Sequence, residues 1–334
     1  IGRESRSIIE NARKQIAKSI SASPEQIFFT SGGTEANNHV FWSLINNSQS
    51  HIVSNVIEHP AVTKVLEFLN PLGLEHELVS VNEDGIVSVD DINKAIKPGT
   101  SLISLMLANN EIGTLQPVEE IVEIAKERDI LVHTDAVQCM GKIEIDVSTL
   151  RVDFLSLSAH KFYGPKGVGV LYVREPKKLS PLIIGGGQEK NLRAGTENIS
   201  AIAGMGLAAE TSANSLDKKV VALIEFEEQF KSGLNKVFKK AIFNGNQSKK
   251  LPGLINVSFP GNRSDIIMTK LDRASIAVSN GSACGSGDIK PSPILSAIGL
   301  DDSMNLSTIR FSFGASNTPQ QIDYLLTELK SILI

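Results

Sequence analysis

Residues able to do chemistry recur along this chain just where short apolar runs stop. "SGGT" (31–34) follows "IFFT" and opens a helical pattern. Its glycines let backbone N–H groups approach an anion, and a helix N-terminus favours negative charge, so Gly33 and Thr34 are candidate cradle residues. "EHPAV" sets His59 past a second apolar run, and "NNEIG" sets Asn109 and Asn110 past a later one. "HTDAVQ" brings His133, Asp135 and Gln138, and "SLSAHKFYGPKG" brings Ser158, His160 and Lys161. Each alone has a plain structural reading: a glycine turn, a satisfied histidine, a solvated lysine. Their shared placement does not, because ligands of open α/β sheets bind beyond the carboxyl ends of the strands.

An anion cradle, an aspartate and a lysine are what pyridoxal 5'-phosphate (PLP) requires. The lysine amine forms a Schiff base with its aldehyde, the aspartate pairs with its pyridine nitrogen, and the helix N-terminus holds its phosphate. Lys161 is the preferred lysine, since Lys166 of "GPKG" lies in a glycine-flanked turn farther from the strand end. The remaining chemical signal is a thiol. The chain has two cysteines, and one, Cys284, stands in "SNGSACGSGDIKPSP" (279–293), a glycine- and serine-rich stretch with no helix or strand period. Cys139, between Gln138 and Met140, reads as a packing residue.

Positioning these groups requires strands that end on one edge. Apolar runs at 27–30, 51–56, 76–81, 101–107, 130–134, 153–158 and 167–173 read as strands. Helical patterns at 4–20, 60–70, 89–96 and 118–128 alternate with them. That alternation indicates an α/β fold, a mostly parallel sheet flanked by helices. After about residue 200 come a helical stretch (201–240), a strand (254–259), a helix (264–271), a strand (309–314) and a last helix from Pro319. The expected division is a large PLP-binding domain, 1–205, and a smaller C-terminal α+β domain, 206–334. The second would carry the cysteine loop, about 279–292.

The net charge of −4 argues against a sequence-independent nucleic-acid binder. No apolar run approaches the roughly 18 residues of a membrane span. Two cysteines make no disulfide framework, which suits a reducing, cytoplasmic setting. The chain begins at Ile1, so an organellar targeting segment stays open. No metal site is expected, and the lysines between 231 and 250 read as a solvated face.

"TSGGTEANN", "EHPAV", "NNEIGTLQPV", "HTDAVQ", "SAHKFYGPKG", "GGGQEKNLRAGTEN", "NGSACGSG" and "IRFSFG" occur in that order over nearly the whole chain. Together they resemble the cysteine desulfurases, PLP enzymes of fold type I that serve nitrogen fixation and iron–sulfur assembly. The resemblance implies that Lys161 is the Schiff-base lysine, that Asp135 pairs the pyridine nitrogen and that Gln138 meets the ring hydroxyl. It implies that His59 stacks on the ring and shuttles protons. Thr34, Ser158 and His160 would bind phosphate, joined by Thr196 of a second subunit in a homodimer with shared sites. Asn110 and Arg310 would hold the carboxylate of L-cysteine. The thiolate of Cys284 would take the substrate sulfur as a persulfide, leaving L-alanine, and pass it to an acceptor such as an iron–sulfur scaffold protein.

Departures from the family pattern are also visible. The opening "Asp-x-Ala-x-Thr" segment and a C-terminal scaffold-docking tail are not found in the sequence, and Asn280 and Gly285 stand where hydroxyl residues are common. Other readings are a related PLP enzyme (a selenocysteine lyase, a cystine C–S lyase or an aminotransferase) or a sulfur-relay component with little turnover. An aminotransferase needs no thiol at Cys284, and the set of Lys161, Asp135 and Cys284 argues against a bare relay.

Overall fold

The apolar runs of about the first half of the chain assemble into one sheet. Its strands are β1 (Ile27–Thr30), β2 (Ser50–Asn55), β3 (Leu74–Val79), β4 (Thr100–Ser104), β5 (Leu131–Asp135), β6 (Phe154–Ser158) and β7 (Gly169–Val173). They lie in the order β1-β7-β6-β5-β4-β2-β3. Pairing is parallel from β3 through β6, and β7 runs antiparallel to both β6 and β1. Strands β2, β6 and β7 are buried at every position, as strands covered on both faces must be. The edge strand β3, "LEHELV", keeps its charged residues toward solvent.

The computed structural model describes residues 2–45, 50–281 and 290–333. Helices α1 (Gly2–Ser19), α2 (Gly33–Trp42), α3 (Pro60–Leu69), α4 (Val89–Ala95), α5 (Val118–Lys126), α6 (Val147–Leu150) and α7 (Ile199–Asn214) accompany the sheet. Two compact units result: Ile1–Val79 with Val87–Ala108 and Gln116–Leu216, and Ser80–Ile86 with Asn109–Leu115 and Asp217–Ile334. A division at 205/206 would fall inside α7, which packs closely along α1. A Cβ at Gly206 would stand 2.6 Å from the Ala12 Cα, so only glycine admits that approach. The helical stretch expected over 201–240 is two helices, with Ser215 capping α7 before α8 (Leu216–Val237), which from Asp217 on belongs to the second unit.

Phe28, Val40, Phe41, Ile52, Leu66, Phe154 and Leu171 belong to the first unit's main core. Each such side chain contributes roughly 1.5–3 kcal/mol by leaving water. The second unit has its own antiparallel sheet of β8 (Ile242–Asn244), β9 (Leu254–Ser258) and β10 (Thr308–Ser312), in the order β10-β9-β8. Helices α8, α9 (Ser264–Arg273), α10 (Pro293–Ala297), α11 (Asp302–Asn305) and α12 (Pro319–Ile332) complete it. Its core centres on Phe230, Phe259 and Phe311, with the Phe230 and Phe311 rings 4.7 Å apart. No helix among the described residues is long and apolar enough to cross a membrane.

Gly169 decides how closely β7 and the turn after β1 can meet. A Cβ there would lie 2.6 Å from the Gly32 backbone and 2.7 Å from the Leu157 carbonyl oxygen. Backbone cannot yield as a flexible side chain does. Gly169→Ala should therefore cost about 1–3 kcal/mol, read as a lowered urea midpoint at unchanged m-value. A midpoint equal to that of the unmodified chain would show that the turn has room to move.

Candidate active site

The carboxyl ends of β1, β5 and β6 bring most of the expected residues together. Helix α2 begins at Gly33, after Gly32, where neither residue has a side chain to obstruct the turn. A Cβ on Gly33 would stand 2.6 Å from the Val137 Cγ2 and 3.7 Å from the Ser158 Cβ. The Ser31 N–H donates to the Glu35 Oε2 at 2.9 Å, and Arg193 donates to both Glu35 oxygens at 2.9 and 3.2 Å. That fork ties the segment leading to Thr196 onto the first turn of α2. Ser158, buried at the end of β6, hydrogen-bonds the His160 Nδ1 at 3.0 Å, while Thr34 and His160 are exposed. Helix N–H groups, a hydroxyl and an imidazole thus share one small region, a donor set suited to a phosphate.

Asp135 is buried at the end of β5. The Asn37 amide donates to its Oδ2 at 2.7 Å and the Val137 N–H to its Oδ1 at 3.0 Å. Burial pushes this carboxyl upward, and those hydrogen bonds, with the charges of His59 and Lys161, draw it back down. His59 caps α3, its Nδ1 accepting the Ala61 N–H at 3.0 Å, so the ring proton of its neutral form sits on Nε2. Burial lowers the His59 pKa; Asp135 raises it and Lys161 lowers it further. Lys161 itself is exposed on the 3-10 turn Ala159–Phe162 just past β6, and Gln138 is half-buried after β5. A ring whose nitrogen carries a proton, whose far end is a phosphate and whose reactive carbon seeks an amine matches these donors.

Two residues at this edge were not expected. Asn37, on α2, holds Asp135. Glu58 is buried beside His59, its Oε1 accepting from the Asn55 amide at 2.8 Å and the Met106 N–H at 2.7 Å. Its Oε2 has no partner, and burial pushes this carboxyl well above the usual range. Both stand inside the quoted motifs, "TSGGTEANN" and "EHPAV", where adjacency was the only signal of them.

Two strand-end residues serve structure instead. His133 is wholly inside the sheet, hydrogen-bonded to Ser104 at 2.8 Å and Ser156 at 3.1 Å, and burial lowers its pKa to about 3. The Asn109 Oδ1 accepts the Glu111 and Ile112 N–H groups and shapes the turn. Cys139 is buried, as its neighbours suggested, and burial pushes its thiol upward, away from the reactive thiolate. Cys284 and Gly285 lie outside the described residues. Thr196 is exposed on the first unit.

In the second unit, Arg310 on β10 donates from Nη1 to the Asn110 carbonyl oxygen at 2.9 Å. The Arg310 Nε and the Asn110 Oδ1 are buried without partners. A guanidinium with unspent donors beside an asparagine amide is suited to a carboxylate.

The aminotransferase class-V family model matches residues 1–325. A protein named cysteine desulfurase IscS from Dictyoglomus turgidum (strain DSM 6724 / Z-1310) is 45% identical over 99% of this chain and 85% of its own length. A solved structure described as a NifS-like protein superposes with a TM-score of 0.92 at 36% identity, over 99% of this chain and 88% of that one. Another, SspA in complex with cysteine, gives 0.80 at 34% identity over 95% and 89%. The chain belongs to the aminotransferase class-V family, among its cysteine desulfurases.

The neutral His133 makes stability depend on acid. The unfolded chain takes up its proton near pH 6.5, whereas the folded chain does so only near pH 3. Stability from this group is therefore present above pH 6.5 and lost as pH falls toward 3, at up to about 1.4 kcal/mol per pH unit. Between pH 7 and 5, His133→Gln should lose about 2 kcal/mol less unfolding free energy in urea than the unmodified chain. Equal losses in both would place the acid sensitivity elsewhere.

Proposed function

We propose that this PLP-dependent cysteine desulfurase converts L-cysteine to L-alanine and takes the sulfur onto Cys284 as a persulfide. The observation that carries the reading is the buried Asp135, held by Asn37 and Val137 and acting electrostatically with His59 and Lys161. PLP when bound supplies an electron sink for the substrate amino acid. In this reading Lys161 anchors the cofactor and Asp135 keeps a proton on its ring nitrogen. Gln138 meets the ring hydroxyl, His59 covers the ring and moves protons, and Gly33, Thr34, Ser158 and His160 hold the phosphate. Asn110 and Arg310 receive the substrate carboxylate. The Cys284 thiolate attacks the substrate sulfur; an S–S bond forms as the Cβ–S bond breaks. The electron pair left on carbon takes up a proton to give the methyl group of alanine. The acceptor of the persulfide is a sulfur-acceptor protein such as an iron–sulfur scaffold, in a reducing, cytoplasmic setting.

Cys284→Ser should keep the yellow colour, and borohydride should still fix the cofactor to the peptide containing Lys161. It should nevertheless form almost no alanine, because a serine hydroxyl is neither ionised near neutral pH nor able to hold sulfane sulfur. Unmodified protein given L-cysteine without reductant should gain one sulfur on the Cys284 peptide and none on Cys139. Alanine production by the variant at the unmodified rate would sink the reading.

The homodimer is part of the same proposal. Thr196 is exposed on the first unit, as a hydroxyl serving a neighbouring subunit's phosphate would be. Sedimentation should show a dimer, and dilution to monomer should release PLP. A monomer retaining PLP at full strength would refute the shared site.

A further inference from the structure

The second unit contains a buried carboxylate that the proposed chemistry does not use. Glu111, in "NNEIG", is buried between the two stretches that flank positions 282–289 in sequence. On one side the Ser292 hydroxyl donates to its Oε2 at 2.6 Å. On the other, Gly281 packs so tightly that a Cβ there would fall inside the van der Waals shell of that same oxygen, and 3.2 Å from the Ser292 Cβ. We propose that Glu111 is a positioning residue for sulfur transfer: one carboxylate oxygen accepts from Ser292 on the far side of the segment that carries Cys284 and packs against Gly281 on its near side. This rests on the reading of Cys284 as the sulfur carrier.

The surroundings make Glu111 a rigid post. Its N–H donates to the Asn109 Oδ1 at 2.8 Å, and its carbonyl oxygen accepts from the Asn256 amide at 3.2 Å. Ser292 is gripped by Asn305, which accepts its N–H at 2.8 Å and donates to its carbonyl oxygen at 2.9 Å. Ile112, next to Glu111, packs with Leu295 and Ile298 just beyond Ser292. Before Gly281, Ser279 and Arg310 exchange two backbone hydrogen bonds, at 3.2 and 2.6 Å. Each end is thus held to a strand or turn, and Glu111 touches both, bonding Ser292 and packing against Gly281. Burial pushes its carboxyl up, while Ser292 and the Arg310 charge pull it down. A sulfur carrier must reach within bonding distance of its donor, so a shift of about 1 Å in its anchors costs rate rather than affinity.

Substituting Glu111 in the PLP-loaded enzyme separates these roles. Glu111→Ala should keep the cofactor absorbance and the KM for L-cysteine, yet lower kcat for alanine about tenfold or more. Loading of sulfur onto Cys284, followed by mass spectrometry, should slow in parallel. Glu111→Gln should recover to within a few fold of the unmodified rate, because its amide oxygen still accepts from Ser292. Gly281→Ala, which pushes against the post, should lower kcat like Glu111→Ala. With the Glu111 variants, three results would overturn the proposal: Glu111→Ala at the unmodified rate, a rise in KM with kcat unchanged, or Glu111→Gln as slow as Glu111→Ala. The last would make Glu111 merely the counter-charge of Arg310. If Cys284→Ser is inactive while Glu111→Ala runs normally, the anchor alone fails. If Cys284→Ser runs normally, the sulfur-carrier reading fails and the anchor falls with it.

Discussion

A carboxylate taken out of water must be held by donors or lose its charge, and Asp135 imposes that requirement on the first unit. Its two hydrogen bonds come from different places in the sequence: Asn37 on α2 and the N–H of Val137 in its own turn. The same Val137 side chain bears on Gly33, at the start of α2. Helix α2 therefore cannot move without disturbing both its own N-terminus and the carboxylate. The phosphate-suited end and the acid are registered by one helix, and Lys161, past the neighbouring β6, and His59, past β2 two strands away, then act on Asp135.

The strands and long helices were legible because fully buried strands must be continuous apolar runs and amphipathic helices must repeat every three to four residues. Expected and observed ends differ by only a few residues from β1 to β7. The strand-end rule also located Asp135, Ser158 and Lys161 without knowledge of pairing. It failed at His133, whose side chain is held within the sheet by Ser104 and Ser156. A period of two says which side a residue faces, but not whether it is satisfied there.

Long-range polar partnerships left no local pattern at all. Arg13 on α1 and Glu189 form a buried ion pair at 2.7 Å, and Glu189 also accepts the Phe29 N–H on β1. The backbone from Glu189 to Asn191 is left-handed at three successive residues, none a glycine, which propensity would not forecast. That conformation is sustained by the partners Glu189 finds across the fold. Asn37, Glu58 and Glu111 are of the same kind: buried polar groups whose meaning lies in residues distant along the chain. The break at Ser215 was hidden because apolar positions continue through both α7 and α8.

The place of β7 in the sheet carries a consequence for synthesis. Thr30 pairs with Gly169 across about 140 residues of intervening chain. Among the described residues, the edge strand β1 has no other strand partner in this sheet, so a nascent chain cannot seat it until β7 has left the ribosome. At ordinary translation speed that delay is on the order of ten seconds. Throughout it, the turn at Ser31–Thr34 lacks the Gly169 backbone against which it rests. Strand β1 is thus late to join its sheet, and until β7 arrives its apolar residues stay unpaired with it.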